Sequence, residues 1–252
     1  MSFAVSADAY DRFMGRYSAQ LAPQLVDHAG VRAGQRVIDV GCGPGALTRV
    51  LVDRLGPPNV CAVDPSESFL AAVRERCPGV DARLATAEHL PWADETFDAA
   101  LAQLVVHFMS DPVAGLSEMS RVVRRGGVIA ACVWDYAGEQ APLSIFWQAA
   151  RQLDPAVQDE SRLPGARVGH LADLFAAAGL RSVDTTALVA SVVHPTFDAW
   201  WEPYTLGVGP AGAYTAGLDA ERRGALRERC RQLLPAAPFK LSTRAWTARG
   251  LA

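Results

Sequence analysis

From residue 36 to about residue 190, short apolar runs alternate with segments of helical spacing, and few folds accommodate that alternation. RVIDV (36–40) reads as a buried strand, and ALTRVLVDRL (46–55) as a helix stopped by Gly56 and Pro57-Pro58. NVCAVD (59–64) is a second strand. Pro65-Ser66 then opens a helix with Phe69, Leu70 and Val73 on one stripe. DARLAT (81–86) reads as a third strand and FDAALAQLVVHF (97–108) as a fourth. Asp111 and Pro112 fit the cap and first position of a helix that Gly126-Gly127 would end, and VIAACVW (128–134) is a fifth strand. Near-continuous apolar strands separated by helices predict a doubly wound, mostly parallel α/β sheet covered on both faces. HLADLFAAAGL (170–180) is a further helix. The Ser/Thr alternation of RSVDTTALVASVV and FKLSTRAWTARG predicts half-exposed edge strands, antiparallel to the rest.

Three segments exceed that frame. Residues 1–34 place Tyr10, Phe13, Met14 and Tyr17 at helical spacing, and 136–167 and 195–237 are rich in aromatic residues and helix signals. With no clear linker, residues 1–252 are expected to form one domain, with 1–34 as an N-terminal helical cap and 136–167 and 195–237 as helical, substrate-side additions. A formal charge of −3 carries no nucleic-acid footprint. No secretory signal and no apolar run of the roughly 20 residues needed to span a membrane is present, so a cytoplasmic protein is expected. The five cysteines include no C-x-x-C and the five histidines are scattered, so reduced, buried thiols and no metal site are expected.

The loop of VIDVGCGPGALTRVL (37–51) opens on the chemistry. Gly41, Gly43 and Ala46 fit G-x-G-x-x-G/A, a dinucleotide fingerprint, so NAD is one reading. Asp39 opposes it: a carboxylate two residues before Gly41 repels a pyrophosphate and attracts an ammonium or sulfonium. S-adenosylmethionine carries both and no phosphate. The other reading of Asp39 is a cap on the turn. Asp64 ends the second strand 23 residues after Gly41, where a carboxylate accepts ribose hydroxyl hydrogens. It also suits the N-cap of the next helix.

VIDVGCGPGALTRVL, AVDPSESFL, ATAEHLPWADETFDAALAQLVVHF and EMSRVVRRGGVIAACVWD together resemble the successive motifs of class I S-adenosylmethionine-dependent methyltransferases. The resemblance is nearest the type 11 family, which includes the ubiquinone/menaquinone C-methyltransferases. It covers roughly residues 10–135, and YDRFMGRYS resembles the family's segment that closes over the cofactor. It implies a seven-stranded sheet of order 3-2-1-4-5-7-6 with the last strand antiparallel. It further implies Asp39, Gly41 and Gly43 at the methionine part of S-adenosyl-L-methionine, and Asp64 at the ribose. Pro65 and Ser66 would lie beside the adenine, with Ala87 and Glu88 in the adenine-side turn. Gln103 would offer a backbone carbonyl to the ammonium, and Arg16 would reach the carboxylate. Thr86 stands where the family often has Asp, which weakens one adenine contact.

Methyl transfer from a sulfonium is an in-line displacement, and a base is needed only where the acceptor loses a proton. His107, at the carboxyl end of the fourth strand, is the candidate base; a structural histidine in the loop is the equal alternative. His89 and Asp135 are poorer candidates. Trp147, Trp200, Trp201 and Tyr204 suit either an apolar lid over an aromatic or lipid-like acceptor or packing of the additions, and packing is favoured. The sequence thus predicts methyl transfer to a small-molecule acceptor. Its rivals are a non-catalytic S-adenosylmethionine-binding regulatory protein and an NAD-dependent oxidoreductase. Nucleic acid is not expected as a partner.

Overall fold

In the computed structural model, which describes residues 6–252, the apolar runs form one seven-stranded sheet. Its strands are β1 (Val37–Val40), β2 (Val60–Asp64), β3 (Asp81–Leu84), β4 (Phe97–Gln103), β5 (Val123–Trp134), β6 (Arg181–His194) and β7 (Phe239–Leu251). The order is β3-β2-β1-β4-β5-β7-β6, the order implied by the family resemblance. Neighbours among β1 to β5 pair in parallel, and β7 runs antiparallel to both β5 and β6. The first helices are α1 (Ala7–Tyr10), α2 (Arg16–Ala29), α3 (Ala46–Leu55), α4 (Glu67–Arg76) and α5 (Pro112–Val122). They are followed by α6 (Ser144–Leu153), α7 (His170–Ala177), α8 (Phe197–Trp201), α9 (Gly209–Gly217) and α10 (Ala220–Leu233). Residues 1–5 of the expected N-terminal cap lie outside the described residues; a π-helical turn, Asp11–Gly15, joins α1 to α2.

The pleat sorts each central strand between two cores. Val37, Ala99, Leu101, Ala130 and Cys132 pack on the side of α2, α3 and the additions. Their neighbours Ile38, Ala100, Ala102, Ile129, Ala131 and Val133 pack on the side of α5 and α7. This two-sided burial is why these strands are apolar along most of their length, Asp39 being an exception within β1. Trp147, Trp200, Trp201 and Tyr204 are buried in the first core, with Phe146 stacked on Tyr204 at 4.7 Å. The rings serve as packing rather than as the wall of the main cavity. All five cysteines are buried and free.

Two boundaries differ from the sequence reading. The fourth strand ends at Gln103, because Leu104 takes a left-handed φ of +60° while its N–H still donates to the Cys132 carbonyl. His107 therefore sits in a 3-10 turn, Val106–Phe108, and not on a strand. Helix α5 ends at Val122, so Gly126 and Gly127 lie inside β5 instead of stopping a helix. The start of α5 is as expected: Asp111 caps it, accepting from Ala114 N–H at 3.0 Å, and Pro112 follows.

Strand β6 lies at one edge of the sheet, and α2 covers part of that edge with side-chain amides. Gln24 donates to the Val189 carbonyl at 2.9 Å and accepts from its N–H at 3.2 Å. Gln20 does the same at Ser191, with both bonds at 3.0 Å. One helical turn separates the two glutamines, and two strand residues separate their targets, so each amide stands in for a residue of a missing strand. Replacing both by alanine is expected to cost about 1 kcal/mol, since water can reach the freed groups. It should also raise self-association through the edge, read by sedimentation of the double variant against wild type.

Candidate active site

The carboxyl ends of β1, β2 and β4 open on a cavity of about 800 Å³. That size and place are those of a ligand site in an open α/β sheet. Gly41 N–H and Cys42 N–H both donate to the Val63 carbonyl, at 2.8 and 3.0 Å, which turns the chain sharply away from β1 toward β2. The turn then delivers Gly43 N–H to Asp64 Oδ2 at 2.9 Å, while Ser66 N–H donates to Oδ1 at 2.8 Å. The Asp64 carboxylate thus staples two ligand-facing loops. Each of its oxygens takes one of these backbone N–H bonds and keeps lone-pair capacity for a ligand hydroxyl. Burial raises its pKa, and the two backbone donors oppose that rise.

Gly41, Gly43, Asp64, Pro65, Ser66, Ala87, Glu88 and Gln103 all line the cavity. Thr86 does too, and so do Ser6, Tyr10, Glu67, Val105, Phe108 and Met109, which the motifs did not single out. Glu88 acts through its carboxylate as well as its place in the turn. Oε1 accepts from Ser110 N–H at 2.8 Å and Asp111 N–H at 3.3 Å, tying the turn to the start of α5. Burial pushes the Glu88 carboxyl up, but the donors around it outweigh burial and hold it below its ordinary value. Gln103 reaches across to α2, donating to the Ser18 carbonyl at 3.2 Å, and leaves its Oε1 buried without a partner.

Three residues fall elsewhere than expected. Asp39 is fully buried beneath the loop and does not line the cavity. Its Oδ2 accepts from the Thr48 hydroxyl at 2.6 Å, bracing the start of α3, while Oδ1 has no partner. Arg16 also lies outside the lining; its guanidinium points to the carbonyls of Arg12 and Ala199, at 3.4 and 3.5 Å. The third, His107, is buried against Phe108 and Tyr136 and lines a second, smaller cavity. Burial alone pushes its pKa down to about 3, so it stays neutral near pH 7 and is a poor proton acceptor.

The charge of the lining decides between the two cofactor classes. Asp64 and Glu88 contribute two carboxylates, Glu67 adds a third that is paired with Arg74, and no arginine, lysine or histidine is among the described lining residues. Such a wall repels a pyrophosphate and suits a ligand with positive charge and hydroxyl donors. S-adenosylmethionine, with an ammonium, a sulfonium and ribose hydroxyls, is such a ligand. The sign argued from Asp39 holds, but other carboxylates carry it.

Comparison with known proteins agrees. Residues 38–131 match a family model described as a methyltransferase domain. A ubiquinone biosynthesis O-methyltransferase of Rhizobium etli is 34% identical over 173 residues, covering 66% of this chain and 67% of that protein. An uncharacterized methyltransferase of Mycobacterium bovis is 36% identical over 140 residues, 56% of this chain and 54% of that one. The chain therefore spans about half the length of the first curated relatives it matches. The crystal structure of a putative methyltransferase from Bacillus halodurans superposes with a TM-score of 0.60 at 16% identity, covering 91% of this chain and 97% of that one, and shares the fold. The chain belongs to the S-adenosylmethionine-dependent methyltransferases. Among the described residues no helix is long and apolar enough to cross a membrane, and no cluster of metal-binding side chains occurs.

Proposed function

We propose that this chain transfers a methyl group from S-adenosylmethionine to a small-molecule acceptor. The observation that carries the reading is the 800 Å³ cavity, whose described lining includes three carboxylates and no cationic side chain, with Asp64 at the end of β2. When bound, the cofactor supplies a methyl group already activated by its sulfonium. The work left to the protein is placement and dryness. Asp64 holds the ribose, Gly41 and Gly43 let the backbone approach the methionine part, and Pro65, Ser66, Ala87 and Glu88 frame the adenine. Tyr10, from α1, lines the cavity and packs edge-on against Phe69, which lines it too. The nearby additions form the acceptor side. His107 shapes that side as a neutral ring.

Calorimetric titration with S-adenosylhomocysteine, beside NADH, tests the reading. Binding of the first alone is expected; binding of NADH alone would refute the cofactor assignment. Asp64→Ala should weaken S-adenosylhomocysteine roughly tenfold to a hundredfold, from lost charge-assisted hydrogen bonds and a loosened Gly43 turn. His107→Ala should change that affinity less than threefold or so, because the ring does not line the cofactor cavity. Equal losses in the two variants would sink the division between cofactor and acceptor sides.

A further inference from the structure

A second cavity, of about 30 Å³, adjoins the first: Tyr10, Leu104 and Phe108 line both. Its size is that of one water molecule, or of one hydroxyl or amine group. Two titratable groups other than tyrosine line it, His107 and Glu160. His107 Nδ1 is buried and has no hydrogen-bond partner. Glu160 is 2% exposed, and its Oε2 accepts from Trp147 Nε1–H at 2.8 Å. The surrounding rings include Trp134, Tyr136 and Phe13.

Glu160, like Asp39, is a buried carboxylate held by neutral donors, and unlike Asp39 it lines the second cavity. Asp135 is paired with Arg244, Asp39 with the Thr48 hydroxyl, and Asp64 with two backbone donors. The adjacent Asp159 takes Arg151. Glu160 makes no ion pair among the described residues, and its neighbours are indole and phenol groups. Fold stability does not explain such a residue, since an unpaired buried carboxylate is destabilising. Burial raises its pKa to about 7, against hydrogen bonds from Trp147 and Tyr136, which suits a group that gains and loses a proton near neutrality.

The geometry points to Glu160 as the residue that receives the nucleophilic end of the acceptor, and to an acceptor that presents an O–H or N–H group. This inference rests on the methyltransferase reading. It selects O- or N-methylation over C-methylation. As the acceptor heteroatom bonds to the methyl carbon, the carbon–sulfur bond breaks and its electron pair stays on sulfur. The acceptor proton passes to a Glu160 oxygen and then to solvent. Trp147 and Tyr136 are positioning residues: both hydrogen-bond the Glu160 carboxylate, Trp147 N–H at Oε2, and hold it at the chamber wall with lone-pair capacity for the acceptor.

The test measures binding of phenol, aniline and toluene to the S-adenosylhomocysteine complex of the full chain by ligand-observed NMR. These probes share a ring and differ in the donor. Phenol and aniline are expected to bind wild type at least tenfold more tightly than toluene. In Glu160→Gln, Trp147 N–H holds the amide oxygen and turns the NH2 toward the chamber, so the preference should fall to threefold or less. Trp147→Phe, which leaves the carboxylate in place with only Tyr136 to hold it, should reduce it to an intermediate value. Radiolabelled transfer to phenol should give anisole and not cresol. Equal binding of the three probes to wild type, no binding by any, an unchanged preference in Glu160→Gln, or a carbon-methylated product would each overturn the inference. Failure of S-adenosylhomocysteine itself to bind would instead overturn the methyltransferase reading, and the inference with it.

Discussion

Gly41→Ala is expected to cost about 3 kcal/mol of stability or more, whereas Gly43→Ala, two residues on, should fold and bind cofactor more weakly. Both glycines have left-handed backbones, with φ of +68° and +53°. They differ in what a Cβ would meet. At Gly41 it would lie 2.1 Å from Val105 Cγ2 and 2.8 Å from Val105 Cβ, so the loop after β4 must shift as well as the loop after β1. At Gly43 nothing lies within 4 Å, and the residue faces the cavity. A methyl there strains the backbone by about 1 kcal/mol and occupies ligand space. Its cost should appear as a loss of S-adenosylhomocysteine affinity of roughly tenfold or more. Thermal melts and calorimetry on the two variants separate these effects. A Gly41→Ala protein as stable as wild type would refute the packing argument. A Gly43→Ala protein with unchanged affinity would show that the loop does not touch the ligand.

Much of this architecture is visible in the chain itself, because buried parallel strands and helix punctuation leave local marks. RVIDV, NVCAVD and VIAACVW are apolar at almost every position because both faces are covered, and Asp111-Pro112 carries a helix start in two residues. The loops that make the site are legible where glycine must stand. What escapes sequence reading is whatever depends on direction. Asp39 points beneath the glycine loop to Thr48, nine residues on, and nothing in the motif distinguishes that from facing the ligand. Leu104 turns the chain with a left-handed φ that an apolar residue does not advertise, so LVVHF reads as strand and His107 as a strand-end base. Arg16 falls on the face of α2 toward Ala199, in an addition more than 180 residues away. Glu160 sits in the polar run QDESR and looks like a solvated loop charge. Its burial follows from Trp147 and Tyr136, contributed by segments whose packing no local pattern records.

The buried Asp39 makes the second large effect, a pH dependence of folding that one substitution should remove. Burial raises its pKa from 3.8 to about 7, against the Thr48 hydroxyl bond, and the nearby Asp64 charge adds to the rise. Between those values the folded chain holds a proton that the unfolded chain has lost. Stability therefore falls as pH rises through that window and levels off above pH 7 or so. The loss is on the order of 4 kcal/mol. Asp39→Asn does not titrate, and its side-chain oxygen can still accept from Thr48. Its NH2 replaces an oxygen that had no partner, so the variant carries a buried donor in exchange. Urea unfolding of both proteins from pH 4 to pH 8 should show wild type losing stability relative to the variant by several kcal/mol, approximately the full linkage term. Asp64 and the other titrating groups are common to both chains and largely cancel in the difference. A difference that stays constant with pH would mean that Asp39 is already ionised in the folded protein. The negative charge beneath the glycine loop would then act on the cofactor directly, as the motif first suggests.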